Sequence, residues 1–308
     1  MTQPQAADDR KTRLDAVALL LIVGCCLIWG LNQVVTKVAL AEVPPLTQAA
    51  LRSLGAAVLV ALWCRWRGVV LWRRDGTGRA GLLAGLLFAA EFGCIFVGLQ
   101  YTSASRMVVF IYLAPFVVAL GMPLIARHER LRAPQLVGLM LAFAGVVWAF
   151  GEGFDAPTSG PQQWWGDALG IAGAVLWGAT TLVLRGSRLS RAAPEQALQY
   201  QLVVSGLALA AAAWVAGERT ALPLSTQAVS LMGFQIVVVT FASYLTWFWL
   251  IRHYPATLLS VFTLLTPVFG LLAGVLLLHE PATPRLLLAL GAVALGIALV
   301  NRAGQPRS

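Results

Sequence analysis

Residues 101–115 read YTSASRMVVFIYLAP, and residues 254–267 read YPATLLSVFTLLTP. Each stretch opens on a tyrosine, continues through a mostly apolar run and closes on a proline. The two lie about 150 residues apart, and the same spacing relates Trp29-Gly30 to Trp177-Gly178 and Gln48 to Gln196. Such self-similarity indicates that the chain consists of two related halves.

The composition indicates a membrane protein. Of the 308 residues, 59% are hydrophobic and only 11% are charged, whereas a soluble domain averages about 25% charged residues. A spanning helix needs roughly 20 apolar residues, so a chain of this length has room for about ten. An ordinary soluble enzyme is excluded. The net charge of +9 is better explained by basic residues at cytoplasmic helix ends than by nucleic-acid binding.

The apolar runs predict ten membrane-spanning helices. We place them near residues 16–37, 46–65, 80–100, 104–126, 134–150, 167–186, 195–216, 228–251, 256–278 and 285–301. Each half then holds five spans, an odd number, so the two halves enter the membrane in opposite directions. The expected fold class is an all-α integral membrane protein built from two inverted five-helix repeats, an architecture that recurs in alternating-access carriers.

The positions of the basic residues predict the orientation. With a cytoplasmic N-terminus, the basic residues left on the outer side are Lys37, Arg52, Arg106, Arg219 and Arg285, and the majority face the cytoplasm as the positive-inside rule requires. We therefore expect a multi-pass protein of the bacterial inner (plasma) membrane with both termini cytoplasmic. The predicted organisation is a tail at 1–14, repeats at 15–150 and 167–301, an outer connection at 151–166 and a tail at 302–308.

Two sets of motifs resemble a known family. The residues from Leu99 to Ser105, with Pro115, His128-Glu129-Arg130-Leu131 and Gly138 to Trp148, resemble the second half of an EamA domain. A second copy is indicated by Tyr254-Pro255-Ala256, Pro267, His279-Glu280-Pro281 and Gly291 to Val300. Over nearly its whole length the chain thus resembles the ten-span drug/metabolite transporter superfamily. Within it, the bacterial exporters of amino acids, and of aromatic amino acids and paraquat in particular, are the most similar group.

Glu91 lies well inside the third predicted span. A charged side chain there costs about 2.5–3.5 kcal/mol on insertion scales, which makes it a functional candidate. One interpretation is a cavity carboxylate that attracts a substrate amine or exchanges a proton. The other is a structural group that is protonated or paired with Arg52 or Arg106. The sequence leaves both open.

Equivalent helices in the two halves carry matching polar faces. Trp29, Asn32 and Thr36 share one face of the first span, and Trp177 with Thr181 repeats the spacing in the sixth. These faces predict a central substrate site, although hydrogen bonding between helices is the alternative role for the polar side chains. The candidate substrate-binding residues are Trp29, Asn32, Thr36, Glu91, Tyr112, Trp177, Thr181, Tyr244 and Trp247.

Four residues are candidates for gating. Pro115 and Pro267 fall near the middle of the fourth and ninth spans, where each removes a backbone hydrogen bond and weakens the helix. The result is either a hinge or a static kink. Arg52 lies in the outer third of the second span, and Tyr200 holds the equivalent place in the seventh. There they would gate the mouths of the site, unless Arg52 extends to the membrane interface.

The leading functional hypothesis is a secondary carrier that exports small amphipathic metabolites, with aromatic or apolar amino acids favoured. A mid-membrane carboxylate without a mid-membrane Lys or Arg favours zwitterions or cations over phosphorylated anions. Export of quaternary cations such as methyl viologen is the alternative within transport. A passive channel is a third, and a membrane-embedded enzyme is disfavoured because no convergent acid–base or metal set is found.

The expected partners follow from that hypothesis. They are a small-molecule substrate, either an amino acid or an organic cation, the lipid bilayer, and protons as a candidate coupling ion. Neither a cofactor, a metal nor a nucleic acid is expected. The oligomeric state is left undecided, and a monomer is compatible with the sequence.

The predicted topology is testable with reporter fusions. A reporter joined after Ser308 should be active only in the cytoplasm, because an even number of spans returns the chain to the side on which it began. A reporter inserted within 151–166 is the matched control and should be active only outside. Activity of the Ser308 fusion solely outside the membrane would overturn the ten-span topology.

Overall fold

The computed structural model describes residues 11, 13–71, 75–98, 101–102, 104–126, 130–149, 160–220, 222–277 and 284–303, and all regular elements within these ranges are helical. The first half contains α1 (Ala16–Ala39), α2 (Pro45–Arg67), α3 (Gly78–Gly98), α4 (Ala104–Ile111), α5 (Ala114–Ile125) and α6 (Ala133–Ala149). The second half contains α7 (Gln163–Gly186), a 3₁₀ turn (Arg188–Arg191), α8 (Pro194–Val215), α9 (Thr226–Phe234), α10 (Tyr244–His253), α11 (Ala256–Phe262), α12 (Leu265–Leu277) and α13 (Pro284–Ala303). A π-helical segment, Gln235–Ser243, joins α9 to α10 without a break.

The predicted all-helical fold is confirmed for the described residues. Seven helical stretches there are long and apolar enough to cross a membrane: Ala16–Thr36, Pro45–Arg67, Gly78–Gly98, Arg106–Ile125, Gln163–Gly186, Pro194–Val215 and Thr226–His253. Three shorter apolar helices, Ala133–Trp148, Ala256–Gly270 and Gly291–Val300, fall within the remaining predicted spans. The motifs His128-Glu129 and His279-Glu280, and most of the connection 151–166, lie outside the described residues.

The fourth and ninth predicted spans are each interrupted. The helix of the fourth predicted span breaks between Ile111 and Ala114, and that of the ninth breaks between Phe262 and Leu265. Pro115 and Pro267 therefore lie in the first turn of α5 and α12, where a missing N–H costs little because that N–H has no partner within the helix. The breaks thus fall at equivalent places in the two halves.

The helices pack mainly against the opposite half. α1 contacts α12 and the π-helical segment, and their counterparts α7 and α5 contact each other, as do α7 and α3. The π-helical segment also packs on α2, as α3 packs on α8. α2 packs on α8 and α6 on α13, each helix thus facing its own equivalent. Exchanging the halves therefore reproduces the contact pattern.

Two aspartates connect the halves at helix ends. Asp167, near the start of α7, accepts a hydrogen bond of 2.6 Å from the Thr102 hydroxyl and pairs with Arg106 at 2.5 Å. Asp15, the N-cap of α1, accepts hydrogen bonds of 3.0 Å from the Tyr254 hydroxyl. In each case the acid at the start of a half binds the segment that precedes or begins the interrupted span of the other half.

Acidic residues in the loops after α2 and α8 bind the start of the opposite helix. Glu218 accepts hydrogen bonds from the backbone N–H groups of Leu46 at 3.1 Å and Thr47 at 2.7 Å, which otherwise lack partners at a helix N-terminus. Asp75 accepts a hydrogen bond of 3.1 Å from the Gln196 amide near the start of α8. These contacts fix the ends of the α2–α8 pair.

Glycine lets α6 and α13 approach closely. A Cβ atom added at Gly138 would lie 2.5 Å from the carbonyl oxygen of Gly296 and 2.9 Å from Cγ2 of Val300. Distances this short require the two helices to separate. Small residues at helix crossings allow the same close packing in membrane bundles generally.

Substituting Gly138 should therefore destabilise the bundle. We expect Gly138→Ala to lower the midpoint of thermal unfolding in detergent, because overpacking costs about 1–3 kcal/mol. Gly291→Ala on α13 is the matched control, since an added Cβ there meets nothing within 4 Å. An unchanged midpoint for Gly138→Ala would contradict the close approach of the two helices.

The Asp75 contacts predict a pH dependence. Hydrogen bonds from the Thr77 side chain and backbone, and from Gln196, lower the pKa of Asp75 from 3.8 to about 2. A depressed carboxyl pKa stabilises the fold above the unfolded-state pKa, and this stabilisation is lost as pH falls through the folded-state value. Asp75→Asn should thus lower the unfolding midpoint at pH 6, and the difference from wild type should shrink between pH 4 and pH 2. A difference that does not change with pH would contradict this assignment.

Candidate functional site

A cavity of about 160 Å³ lies where the two halves meet. An apolar cavity of about 150 Å³ holds a benzene-sized molecule, so this space suits a small ligand. The first half contributes side chains from α1, α2, α3, α4 and the break after α4, and the second half from α7, α8, the π-helical segment, α10 and α12. The lining residues are Trp29, Asn32, Arg52, Phe88, Glu91, Phe92, Ile95, Ile111, Tyr112, Trp177, Thr180, Thr181, Leu184, Gln201, Val239, Tyr244, Trp247, Phe248 and Thr266.

Aromatic rings form two walls of this cavity. Trp29 contacts Tyr244 and Trp247 edge-on, with ring centres 6.2 and 5.5 Å apart. Trp177 contacts Tyr112 in the same way at 5.8 Å. The equivalent tryptophans thus each pack on a tyrosine of the other half, and edge-to-face pairs of this kind hold both rings in defined orientations.

The π-helical segment orients Trp29. The indole Nε1 donates a hydrogen bond of 2.8 Å to the hydroxyl of Ser243, the last residue of that segment. The Ser243 hydroxyl in turn donates to the Val239 carbonyl at 2.5 Å. π-Helical turns are rare and often occur at functional sites. Here the segment places a hydroxyl where it fixes the tryptophan at the cavity wall.

Two oppositely charged residues face the cavity. Glu91 on α3 is 7% exposed and Arg52 on α2 is 3% exposed. The guanidinium carbon of Arg52 lies 4.1 Å from the centre of the Phe92 ring, a cation–π distance. The two charges are close enough to interact electrostatically. A buried Arg52 revises the expectation that this side chain reaches the membrane interface, and it places a cation beside Glu91.

Several buried polar atoms of the lining lack a hydrogen-bond partner within the described part of the chain. They are Nε and Nη2 of Arg52, Oε2 of Glu91, Oδ1 of Asn32 and Nε2 of Gln201. Unsatisfied buried polar atoms are rare in folded proteins, and each is a candidate contact for a ligand or water. The cavity therefore offers both hydrogen-bond donors and hydrogen-bond acceptors.

The structure brings together most of the predicted site residues. All the candidate substrate-binding residues line the cavity except Thr36, whose carbonyl accepts a hydrogen bond of 3.5 Å from the Gln48 amide. Arg52 joins them, whereas Tyr200 lies outside the lining and packs against Gly81, with its hydroxyl 3.4 Å from that of Thr77. Neither Thr36 nor Tyr200 is thus positioned to contact a ligand in the cavity.

Sequence reasoning overlooked the aromatic residues around Glu91. Phe88, Phe92 and Ile95 stand three or four residues from Glu91 or from one another, on one face of α3, and all line the cavity. The same spacing argument that grouped Trp29 with Asn32 identifies them. Gln201 and Thr266 carry no comparable signal, because their position depends on how α8 and α12 pack.

Metal chemistry finds no support in the same part of the chain. Over the described ranges, no three His, Cys, Asp or Glu side chains cluster as metal ligands would. The described cysteines are unpaired thiols, and three of them, Cys25, Cys26 and Cys64, are buried.

Relatives of known name share most of the length of this chain. A transporter named YvbV from Bacillus subtilis (strain 168), described as uncharacterized, is 27% identical over 94% of this chain and 92% of its own length. The inner membrane transporter YedA of Escherichia coli (strain K12), also described as uncharacterized, is 28% identical over 89% of this chain and 87% of its own. A protein of Salmonella typhimurium named "Probable amino-acid metabolite efflux pump" is 25% identical, covering 88% and 89%.

The fold matches a solved structure. That crystal structure superposes with a TM-score of 0.79 at 21% identity and covers 92% of this chain and 98% of its own. The EamA-like transporter family model matches twice, over residues 16–151 and 164–302. The two matches correspond to the two halves that frame the cavity. The chain is therefore a member of the EamA-like transporter family.

Proposed function

We propose that this protein is a secondary carrier that exports small amphipathic metabolites, with aromatic or apolar amino acids favoured, across the inner membrane. The observation that carries the proposal is a cavity shared by the two halves, with aromatic walls and a buried carboxylate, Glu91. Carriers built from repeats typically bind substrate between the repeats. The name of the Salmonella relative, an amino-acid metabolite efflux pump, supports the same substrate class.

The proposed architecture is ten spans in two inverted repeats with cytoplasmic termini. Seven long apolar helices overlap predicted spans, and three shorter apolar helices overlap the remaining three, which supports this count. The reciprocal contacts between the halves and the double match to one family model support a repeat. An odd number of spans in each half would then give the two copies opposite orientations.

Alternating access would use the interrupted helices. The breaks before Pro115 and Pro267 interrupt regular helix at equivalent places in the two halves. Tyr112 lies in the first break and Thr266 just after the second, and both line the cavity. A change in the angle between α4 and α5, or between α11 and α12, would thereby open or close access to the cavity. Of the two residues expected to gate the mouths of the site, Arg52 lines the cavity and Tyr200 does not.

Export of organic cations is the second candidate. The tryptophan and tyrosine rings supply aromatic faces, and Glu91 supplies a carboxyl group, both of which suit a quaternary ammonium or a bipyridinium.

Membership of a transporter family supports a non-enzymatic role. A passive channel would conduct far faster than a carrier turns over.

Transport by the purified protein tests the proposal. Proteoliposomes loaded with an unlabelled amino acid should take up labelled Phe or Trp in exchange for it. Comparison with Thr and methyl viologen should show whether aromatic amino acids, other amino acids or organic cations are preferred. Repeating the assay with and without a pH gradient tests whether protons are coupled to transport. Failure to move any of the four compounds would contradict both the amino-acid and the cation proposals.

Glu91→Gln should reduce exchange of Phe at least tenfold, because the buried carboxylate is the acceptor for the substrate ammonium and a charge-assisted hydrogen bond contributes about 1.5–3 kcal/mol. The matched control is Glu195→Gln, the same chemical change in the first turn of α8, away from the cavity lining. Glu195→Gln should exchange Phe at the wild-type rate. Equal rates for wild type and Glu91→Gln would remove Glu91 from the site.

A further inference from the structure

The environment of Arg52 is unusual for a cation in an apolar helix. Only 3% of Arg52 is exposed, and it lies in α2 well inside an apolar bundle. A buried guanidinium is costly unless its N–H groups find acceptors. We therefore expect the N–H groups of Arg52 to donate hydrogen bonds to an acceptor in the cavity.

One edge of the Arg52 guanidinium has no hydrogen-bond partner among the residues that the structure describes. The guanidinium carbon lies over the Phe92 ring, 4.1 Å from its centre, and the Tyr244 hydroxyl is within hydrogen-bonding reach of the group. Nε and Nη2 are buried and donate no hydrogen bond to any described residue. These two nitrogens form a single edge of the planar fork, and that edge matches the two oxygens of a carboxylate in bidentate geometry.

Acceptors lie elsewhere in the same cavity. Oε2 of Glu91 and Oδ1 of Asn32 are both buried and accept no hydrogen bond from the described residues. Either one can accept from an ammonium group. The cavity thus presents a donor edge at Arg52 and acceptors at Glu91 and Asn32, and the rest of its lining includes tryptophan, tyrosine and phenylalanine rings.

The charge balance separates zwitterions from cations. Arg52 and Glu91 together contribute no net charge when both are ionised, so a zwitterion enters with each of its charges matched. A cation without a carboxylate leaves the Arg52 edge unpaired and is repelled by it. A binding site of this kind is specific because a ligand that lacks the carboxylate leaves a buried polar group of the protein without a hydrogen bond.

We propose that Arg52 binds the carboxylate of the substrate through its Nε–Nη2 edge, and so makes the cavity selective for α-amino acids over amines and organic cations. This inference rests on the proposed carrier function. It assigns Arg52 a binding role in place of the gating role expected from the sequence, and it ranks amino acids above methyl viologen.

Three ligands that share a ring and differ in charge test the assignment. Phenylalanine carries both groups, phenethylamine lacks the carboxylate, and 3-phenylpropionate lacks the ammonium. Binding to the purified full-length protein in detergent is measured by titration calorimetry. Wild type should bind phenylalanine more tightly than either analogue. Arg52→Gln should weaken phenylalanine binding about 10- to 100-fold and leave phenethylamine binding unchanged or tighter.

Two further variants control the experiment. Arg65→Gln makes the same change at an exposed position on the same helix and should bind all three ligands as wild type does. Arg52→Lys keeps the charge but lacks the planar fork, and should weaken phenylalanine binding about tenfold. If Arg52→Gln does not fold, as judged by its thermal unfolding, Arg52→Lys decides the question.

The outcomes separate this inference from the carrier proposal. Equal weakening of phenylalanine and phenethylamine by Arg52→Gln, or no weakening of either, overturns the role of Arg52 while transport stands. Transport of methyl viologen or phenethylamine in preference to phenylalanine does the same. If wild type neither binds nor transports any of these compounds, the carrier proposal fails and the Arg52 assignment fails with it.

Discussion

Water is absent from the hydrocarbon core of a bilayer, so each backbone N–H and C=O group at that depth must find a partner within the protein. This constraint explains why the described chain is helical throughout and why departures from regular helix are few. Those departures surround the cavity: Tyr112 and Thr266 lie in or beside the two interruptions, and Val239 lies in the π-helical segment. Irregular backbone is tolerated where it is enclosed by protein or lines a cavity, and such backbone also allows a helix to bend.

Charged side chains inside the bundle also need hydrogen-bond partners within the protein, because no water is available to them. At the ends of the bundle, Asp167 is paired with Arg106 and Thr102, and Asp15 with Tyr254. Within the cavity, Arg52 and Glu91 each keep buried polar atoms that have no hydrogen-bond partner among the described residues. The contrast distinguishes charges that connect helices from charges that are available to a ligand. It supports placing the substrate between Arg52 and Glu91. Most basic residues indicate the orientation in the membrane, whereas Arg52 is proposed to bind the substrate.

Much of the fold could be predicted because its signals are local. Apolar runs of about 20 residues identify helices one at a time, and the repeated Trp-Gly and proline motifs relate the halves. The aromatic face of the site was predicted equally well at Trp29 and Trp177, since a helical spacing of three or four residues is visible in the sequence. Phe88 and Phe92 follow the same rule on either side of Glu91 and could have been identified in the same way. Thr36 satisfied the rule but does not line the cavity, because spacing defines a face without saying what packs on it.

The sequence by itself determined that the chain is a helical membrane protein with two related halves, and that Glu91 needed an explanation. These conclusions follow from composition and periodicity, which depend on residues close together in the chain. Only the tertiary structure decided that Arg52 shares a cavity with Glu91, that its guanidinium lies over the Phe92 ring, and that Tyr200 lies elsewhere. The rotation of each helix about its axis sets these relations. That rotation is fixed by packing between helices distant in sequence, such as α2 against α8 and α3 against α7.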